Sequence, residues 1–216
     1  MTTVDDTVQE IYRDLTQVSD TRQLLTQLSG FGREAQGYIG SWSSYRYSDS
    51  RRLRADSVRR FCEAQSDYAI VAARVTALSD DDFAKGKLIE IAEEYRLMAR
   101  DAPELTLELS PVRIDAQGLL DRTESCLEGF ASKMNEAQSY LETYANTPPS
   151  HPKQESLVSF CIAQEEVQRR AAGLAGLNGF FYHVSPRLSR ISGLYSALGM
   201  GLCHRISAVA IAESRD

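Results

Sequence analysis

The chain has 216 residues, 43% of them apolar and 25% charged, which is long enough to bury a hydrophobic core and too ordinary in composition for a disordered or membrane-embedded chain. Its net charge of −6 is uneven: residues 1 to 150 carry 17 Lys and Arg against 25 Asp and Glu, and residues from His151 onward carry 7 against 5. An acidic chain is a poor non-specific ligand for nucleic acid, because phosphate binding needs cationic surface, so no nucleic-acid partner is expected.

The first element places Val4, Val8, Ile11, Leu15, Val18, Leu25 and Leu28 on one helical stripe, and Ser29-Gly30 is read as its end. Residues 29 to 50 differ in kind, with Gly30, Gly32, Gly37 and Gly40 among serines and the aromatics Phe31, Tyr38, Trp42, Tyr45 and Tyr47. Phe31, Tyr38, Trp42 and Tyr45 are spaced seven, four and three, so loop and helix both stay open here. Each glycine costs a helix about 1 kcal/mol.

A further helix is expected from about Ser50 to Leu78, with Val58, Phe61, Tyr68, Ala72 and Val75 along its seam. It stops at Ser79-Asp80-Asp81-Asp82, whose side chains suit the cap of the next helix. That next helix carries Ala84, Leu88, Ile91, Tyr95 and Met98 at intervals of four, three, four and three, and ends before Pro103. From Glu104 to Ser110, Leu105, Leu107 and Leu109 alternate with polar residues; an isolated strand cannot form a sheet, so the segment is read as an extended connection.

Leu120, Thr123, Leu127, Phe130, Met134, Ala137, Leu141 and Tyr144 form the most regular series, a coiled-coil-like packing seam. Three prolines between Pro148 and Pro152 close it and mark the sharpest boundary. Leu157, Val158, Cys161 and Ile162 begin another helix, which becomes rich in Ala and Gly toward Gly173, Gly176 and Gly179. Ser185-Pro186 reads as the start of a last helix through Leu188, Ile191, Tyr195, Leu198, Leu202, Ile206 and Val209. The expected fold is therefore all-α, an antiparallel helical bundle of six or seven helices in one domain over residues 1 to 216, with a division into two sub-bundles at 146 to 152 left open.

Cys62, Cys126, Cys161 and Cys203 are far apart, show no CxxC pairing and sit beside apolar residues, and are read as reduced core thiols. The start MTTVDDTVQE lacks the basic and apolar regions of a secretory signal, so an intracellular, cytoplasmic setting is expected, with secretion by a route needing no signal peptide left open.

No catalytic residue, metal site or cofactor is expected. His151, His183 and His204 are preceded three residues earlier by Pro148, Phe180 and Gly201, so the Glu-x-x-His pattern of di-iron bundles is missing. Glu90, Glu93 and Glu94 could present oxygens to Mg²⁺ from one helix face. The cluster loosely resembles the paired-acid helices of all-α nucleotide pyrophosphohydrolases, which implies a phosphohydrolase as the enzymatic alternative, but no second acidic motif accompanies it. Phosphate loops and Gly-x-Ser-x-Gly elbows do not occur.

Arg46, Arg51, Arg52, Arg54, Arg59 and Arg60 follow directly on Trp42, Tyr45 and Tyr47. Arginines beside aromatics suit a docking surface for an acidic partner, whereas Arg52, Asp56, Arg59, Arg60 and Glu63 at helical spacing suit an ordinary ladder of ion pairs. Residues 191 to 212 are mostly uncharged with Gly193, Ala197 and Gly201 on one face, but His204 and Arg205 interrupt them, so membrane association or pore formation is the less favoured alternative. The leading expectation is a non-enzymatic interaction or scaffold module that binds another protein, with homodimerisation open to it. Its contact residues are expected to be Trp42, Tyr45, Arg51, Arg52 and Arg59, since Trp, Tyr and Arg dominate binding hot spots.

Overall fold

A computed structural model describes residues 20–42, 50–106, 116–178 and 181–213. Among these residues there are seven helices and no strand: α1 (Thr21–Trp42), α2 (Arg51–Ala77), α3 (Asp82–Arg100), the single turn α4 (Ala102–Leu105), α5 (Ala116–Asn146), α6 (His151–Leu177) and α7 (Val184–Glu213). The expected all-α bundle is what the chain forms. Helices adjacent in sequence pack side by side, α1 on α2, α2 on α3, α5 on α6 and α6 on α7. The ring is closed by α3 against α7 and α1 against α5. Six long helices thus surround one hydrophobic cluster drawn from all of them.

α1 departs most from its expected limits. It runs straight through Ser29-Gly30 and buries Leu24, Leu28, Gly32, Ala35, Ile39 and Trp42, so Ser29-Gly30 is not a helix end and residues 29 to 42 are helical. Tertiary packing reverses the propensity argument at Gly32. A Cβ there would stand 3.2 Å from Met134 Cε and 3.6 Å from the Tyr68 ring, so the missing side chain is what lets α1 approach α2 and α5. The upstream stripe through Val4, Val8, Ile11, Leu15 and Val18 lies outside the described residues, as do Tyr45, Arg46 and Tyr47.

α2 and α3 follow their sequence signals closely. Ser50 caps α2 by accepting from the Leu53 N–H at 3.2 Å. Val58, Phe61, Tyr68, Ala72 and Val75 are all buried. Asp81 caps α3, its Oδ1 accepting from the Ala84 N–H at 3.1 Å. The tight turn between them puts Asp80 at a φ of 53°, a left-handed conformation that Asp tolerates better than most residues. Ala84, Leu88, Ile91, Tyr95 and Met98 form the buried stripe of α3.

The extended connection expected from Glu104 is corrected in its first residues. Glu104 and Leu105 belong to α4, whose Pro103 stands in the first turn where no donor is needed, and Thr106 follows as a turn. Leu107 and Leu109 lie outside the described residues. The α5 seam is buried at Phe130, Met134, Ala137, Leu141 and Tyr144, whereas Leu127 and Thr123 are only half-buried. Residues 147 to 150 make a short turn into α6, so the proline-rich boundary is the corner of an α5–α6 hairpin. α7 begins at Val184, one residue before Ser185-Pro186, and buries Leu188, Ile191, Tyr195, Leu198 and Leu202.

Of the four cysteines, Cys62 and Cys161 are buried as expected. Cys126 is half-buried and Cys203 is exposed, because α7 turns that face away from the bundle, so these two are not core thiols. Among the described residues no helix is long and apolar enough to cross a membrane.

Candidate interaction surface

The residues expected to contact a partner separate into distinct environments. Trp42 is completely buried, its ring stacked on Phe181 and edge-on to Phe61, both with centroids 5.0 Å away. Its indole N–H donates to Ser57 Oγ at 3.0 Å, and its carbonyl accepts from Asn178 Nδ2 at 2.8 Å. Trp42 is therefore a core residue of this fold, its indole N–H and its carbonyl both hydrogen-bonded and its ring packed against Phe181 and Phe61. Tyr45 lies outside the described residues.

The arginines behave differently from one another. The Arg51 guanidinium donates through Nη2 to the Pro103 carbonyl at 2.7 Å, tying the start of α2 to α4. Arg52 is exposed and makes no ion pair or hydrogen bond with the described residues. Arg54, in the middle of the run, turns inward and is 1% exposed. Arg59 bonds Asp56 and also Glu63 at 2.8 Å, and Arg60 reaches Asp56 at 3.0 Å, so the ladder of ion pairs forms without its expected first rung from Arg52 to Asp56. The Arg59 hydrogen bond holds the Asp56 carboxyl below the usual carboxylate range, and the same bond raises the Arg59 guanidinium above its ordinary value.

Arg59 has a second role that the sequence conceals. It stands on the rim of an open groove of about 480 Å³ between α2 and α3, with Glu63, Ser66 and Asp67 from its own helix and Arg96, Ala99 and Arg100 from the other. Ser66 fixes the groove floor: its hydroxyl donates to the Ala92 carbonyl at 3.1 Å and accepts from Arg96 Nε at 3.3 Å. Arg100 rests on Asp101 at 3.0 Å, and Asp101 in turn accepts from Arg187 of α7 at 3.0 Å. Three guanidiniums thus meet two carboxylates in a groove on a chain whose net charge is −6. Arg96 and Arg100 share one face of α3, one turn apart, but two cations at that spacing do not stand out in sequence; only the pairing of α3 with α2 brings them to Arg59.

Two other grooves differ in chemistry. One of about 290 Å³ between α1 and α5 is polar, with Arg33, Gln36, Asn135, Gln138 and Glu142. Another of about 450 Å³ between α5 and α6 contains Tyr140 and Ile162, which are 38% and 60% exposed.

Two of the Glu90, Glu93 and Glu94 carboxylates are engaged by neighbouring cations. Glu90 accepts from Lys87 at 2.8 Å, and Glu94 accepts from Arg190 of α7 at 2.8 Å. Partial burial, then the charges of Glu90 and Glu94, push the Glu93 carboxyl up. Among the described residues no group of three or more His, Cys, Asp or Glu side chains is arranged to hold a metal ion.

The fold and groove define an all-α bundle with a mixed-charge, arginine-rich cleft. Comparison of the chain with protein-family models, curated proteins and solved structures finds no match.

Proposed function

We propose that this chain is a non-enzymatic helical interaction module that docks an acidic segment of another protein in the α2–α3 groove. The observation that carries the reading is the convergence of Arg59, Arg96 and Arg100 from two helices on one open cleft. Arginine forks match carboxylates two bonds at a time, and rigid helices hold them without the ordering cost a loop would incur. Arg52, exposed about two turns before Arg59 on the same helix, extends the cationic approach. Glu63 and Asp67 set register, since an acidic ligand must avoid them while reaching the arginines.

The test is fluorescence anisotropy with a labelled Glu-rich peptide at low salt, comparing the native chain with Arg59→Gln/Arg100→Gln. Both side chains are substantially exposed, at 44% and 61%, so the double variant is expected to keep the native circular dichroism. Binding should weaken at least about tenfold in the variant and fall steadily with added salt. Equal affinity in both proteins, or no binding by the native chain, defeats the reading.

A second form of the same scaffold reading is self-association, which draws on the exposed Tyr140 and Ile162 in the α5–α6 groove. Sedimentation equilibrium of the native chain and Ile162→Asp examines it; a monomer at all concentrations removes it.

A further inference from the structure

The centre of the bundle is polar. Gln65 and Tyr68 from α2, Tyr95 from α3, Gln164 and Gln168 from α6 and Tyr195 from α7 are each 0% exposed. Two of them meet at the Met134 sulfur of α5, which accepts from Gln65 Nε2 at 3.9 Å and from Gln164 Nε2 at 3.8 Å. Gln65 Oε1 accepts from Gln168 Nε2 at 3.5 Å and from the Tyr95 hydroxyl at 3.4 Å. The two contacts to Gln65 Oε1 sit at the long end of their range, since well-packed amide and hydroxyl partners settle at about 2.7 to 3.0 Å.

Four polar atoms of this layer have no hydrogen-bond partner: the Tyr68 and Tyr195 hydroxyls and the Gln164 and Gln168 Oε1 atoms. Each would cost about as much as a lost hydrogen bond if left so, and buried polar groups in folded proteins are nearly always satisfied. They are also neighbours. Gln164 and Gln168 are one helical turn apart on α6. The Tyr68 ring stacks over Phe160 at 6.5 Å and Phe160 meets the Tyr195 ring at 6.3 Å. Burial, then the nearby Tyr68 phenol, raise the Tyr195 hydroxyl well above its ordinary pKa, and the Gln164 side chain lies close to the Tyr68 phenol without a hydrogen bond of normal geometry. Two hydroxyls that can donate and two carbonyls that can only accept are the complement of a molecule with two donors and two acceptors.

We infer that the bundle core contains an internal hydration site, in which one water or a short pair of waters bridges the Tyr68 and Tyr195 hydroxyls to the Gln164 and Gln168 carbonyls. Water is the guest that fits. It accepts from the two phenols, donates to the two amides, carries no charge into a layer without an ionised partner, and is small enough to enter between helices. A bridging water also gives the layer a reason to be polar, because it ties α2, α6 and α7 together at the bundle centre in a way that an apolar core could not.

The sign of a conservative substitution separates a hydrated layer from a dry one. If the hydroxyls are orphans in a dry core, Tyr68→Phe and Tyr195→Phe relieve an unmet desolvation cost and Tm holds or rises; if they bind water, each substitution removes a bridge and lowers Tm by about 2 to 4 °C. Magnetic relaxation dispersion of water oxygen-17 on the native chain and both variants supplies the direct reading. The native chain should show at least one long-lived internal water, and that contribution should diminish in both variants together with Tm. An absent long-lived water overturns the inference even if Tm falls, because direct Tyr–Gln bonds would then account for the loss; so does a long-lived water that persists undiminished in both variants, and so does a Tm that holds or rises.

Discussion

The indole N–H of Trp42, at the last residue of α1, donates to the Ser57 hydroxyl on α2 at 3.0 Å, inside a pocket closed by Phe61 and Phe181. This single bond joins the end of one helix to the second turn of the next and satisfies the only polar atom of a fully buried ring. Ser57→Ala should cost about 1 to 3 kcal/mol, since it leaves the indole donor buried without an acceptor. Trp42 is the sole tryptophan, so its emission reports directly on this pocket during urea unfolding. An unchanged unfolding midpoint in Ser57→Ala would show that the bond carries no net stability.

Glycines in the helices divide by what surrounds them. A Cβ on Gly37 meets nothing within 4 Å, so Gly37→Ala is expected to raise stability by about 0.5 to 1 kcal/mol through helix propensity and a less flexible unfolded chain. At Gly201 a Cβ would stand 2.6 Å from Cζ of Phe83, whose ring also lies under the Arg205 guanidinium at 5.1 Å. Gly201→Ala should therefore destabilise, by about 1 to 3 kcal/mol, as the ring is forced aside. Paired thermal melts read both signs in one experiment.

Thiol reactivity should follow exposure. Burial raises the Cys62 and Cys161 thiols far above their ordinary range and removes them from solvent, whereas Cys203 is open to it. Titration of the native chain with a chromogenic disulfide is expected to modify Cys203 quickly, half-buried Cys126 slowly, and Cys62 and Cys161 only on unfolding. Four thiols reacting at one fast rate would contradict the buried positions.

Glu93 gives stability a pH dependence of unusual sign. Its carboxyl is raised in the folded chain by partial burial and by Glu90 and Glu94, so the folded state holds this proton more tightly than the unfolded state does. Ionised, Glu93 therefore opposes folding, and that cost disappears as pH falls through the raised folded value toward the ordinary carboxylate range. Glu93→Gln should melt higher than the native chain at neutral pH, with the gap closing on acidification. Asp56 works in the opposite sense. Its carboxyl is lowered by Arg59, so its contribution is present above the ordinary carboxylate value and fades as pH falls through the lowered one. Because this pair is exposed, its share is small.

Much of the architecture was legible because apolar spacing and capping are local. The α3 stripe from Ala84 to Met98 and the Ser50 and Asp81 caps each depend on residues within a few positions of one another. The misread elements are those where a distant residue decides. Gly32 looked like a helix breaker until Met134 and Tyr68 came within contact of it, and Trp42 looked like a surface anchor until Ser57, Phe61, Phe181 and Asn178 closed around it. The α2–α3 groove was only partly readable for the same reason: the Arg59 ladder lies along one helix, but its groove partners Arg96 and Arg100 are more than thirty residues away.

By itself, then, the sequence determined that this chain would be all-α, where most of its helices start and stop, and which stripe of each faces inward, since these follow from the period of a helix and the chemistry of its ends. The tertiary structure decided what each side chain is for. Close packing of six helices turned a tryptophan into a core plug, buried an arginine from the middle of a charged run, gathered glutamines and tyrosines into a polar centre, and set arginines of two helices across one groove, because such outcomes depend on which faces meet, and no local spacing encodes that.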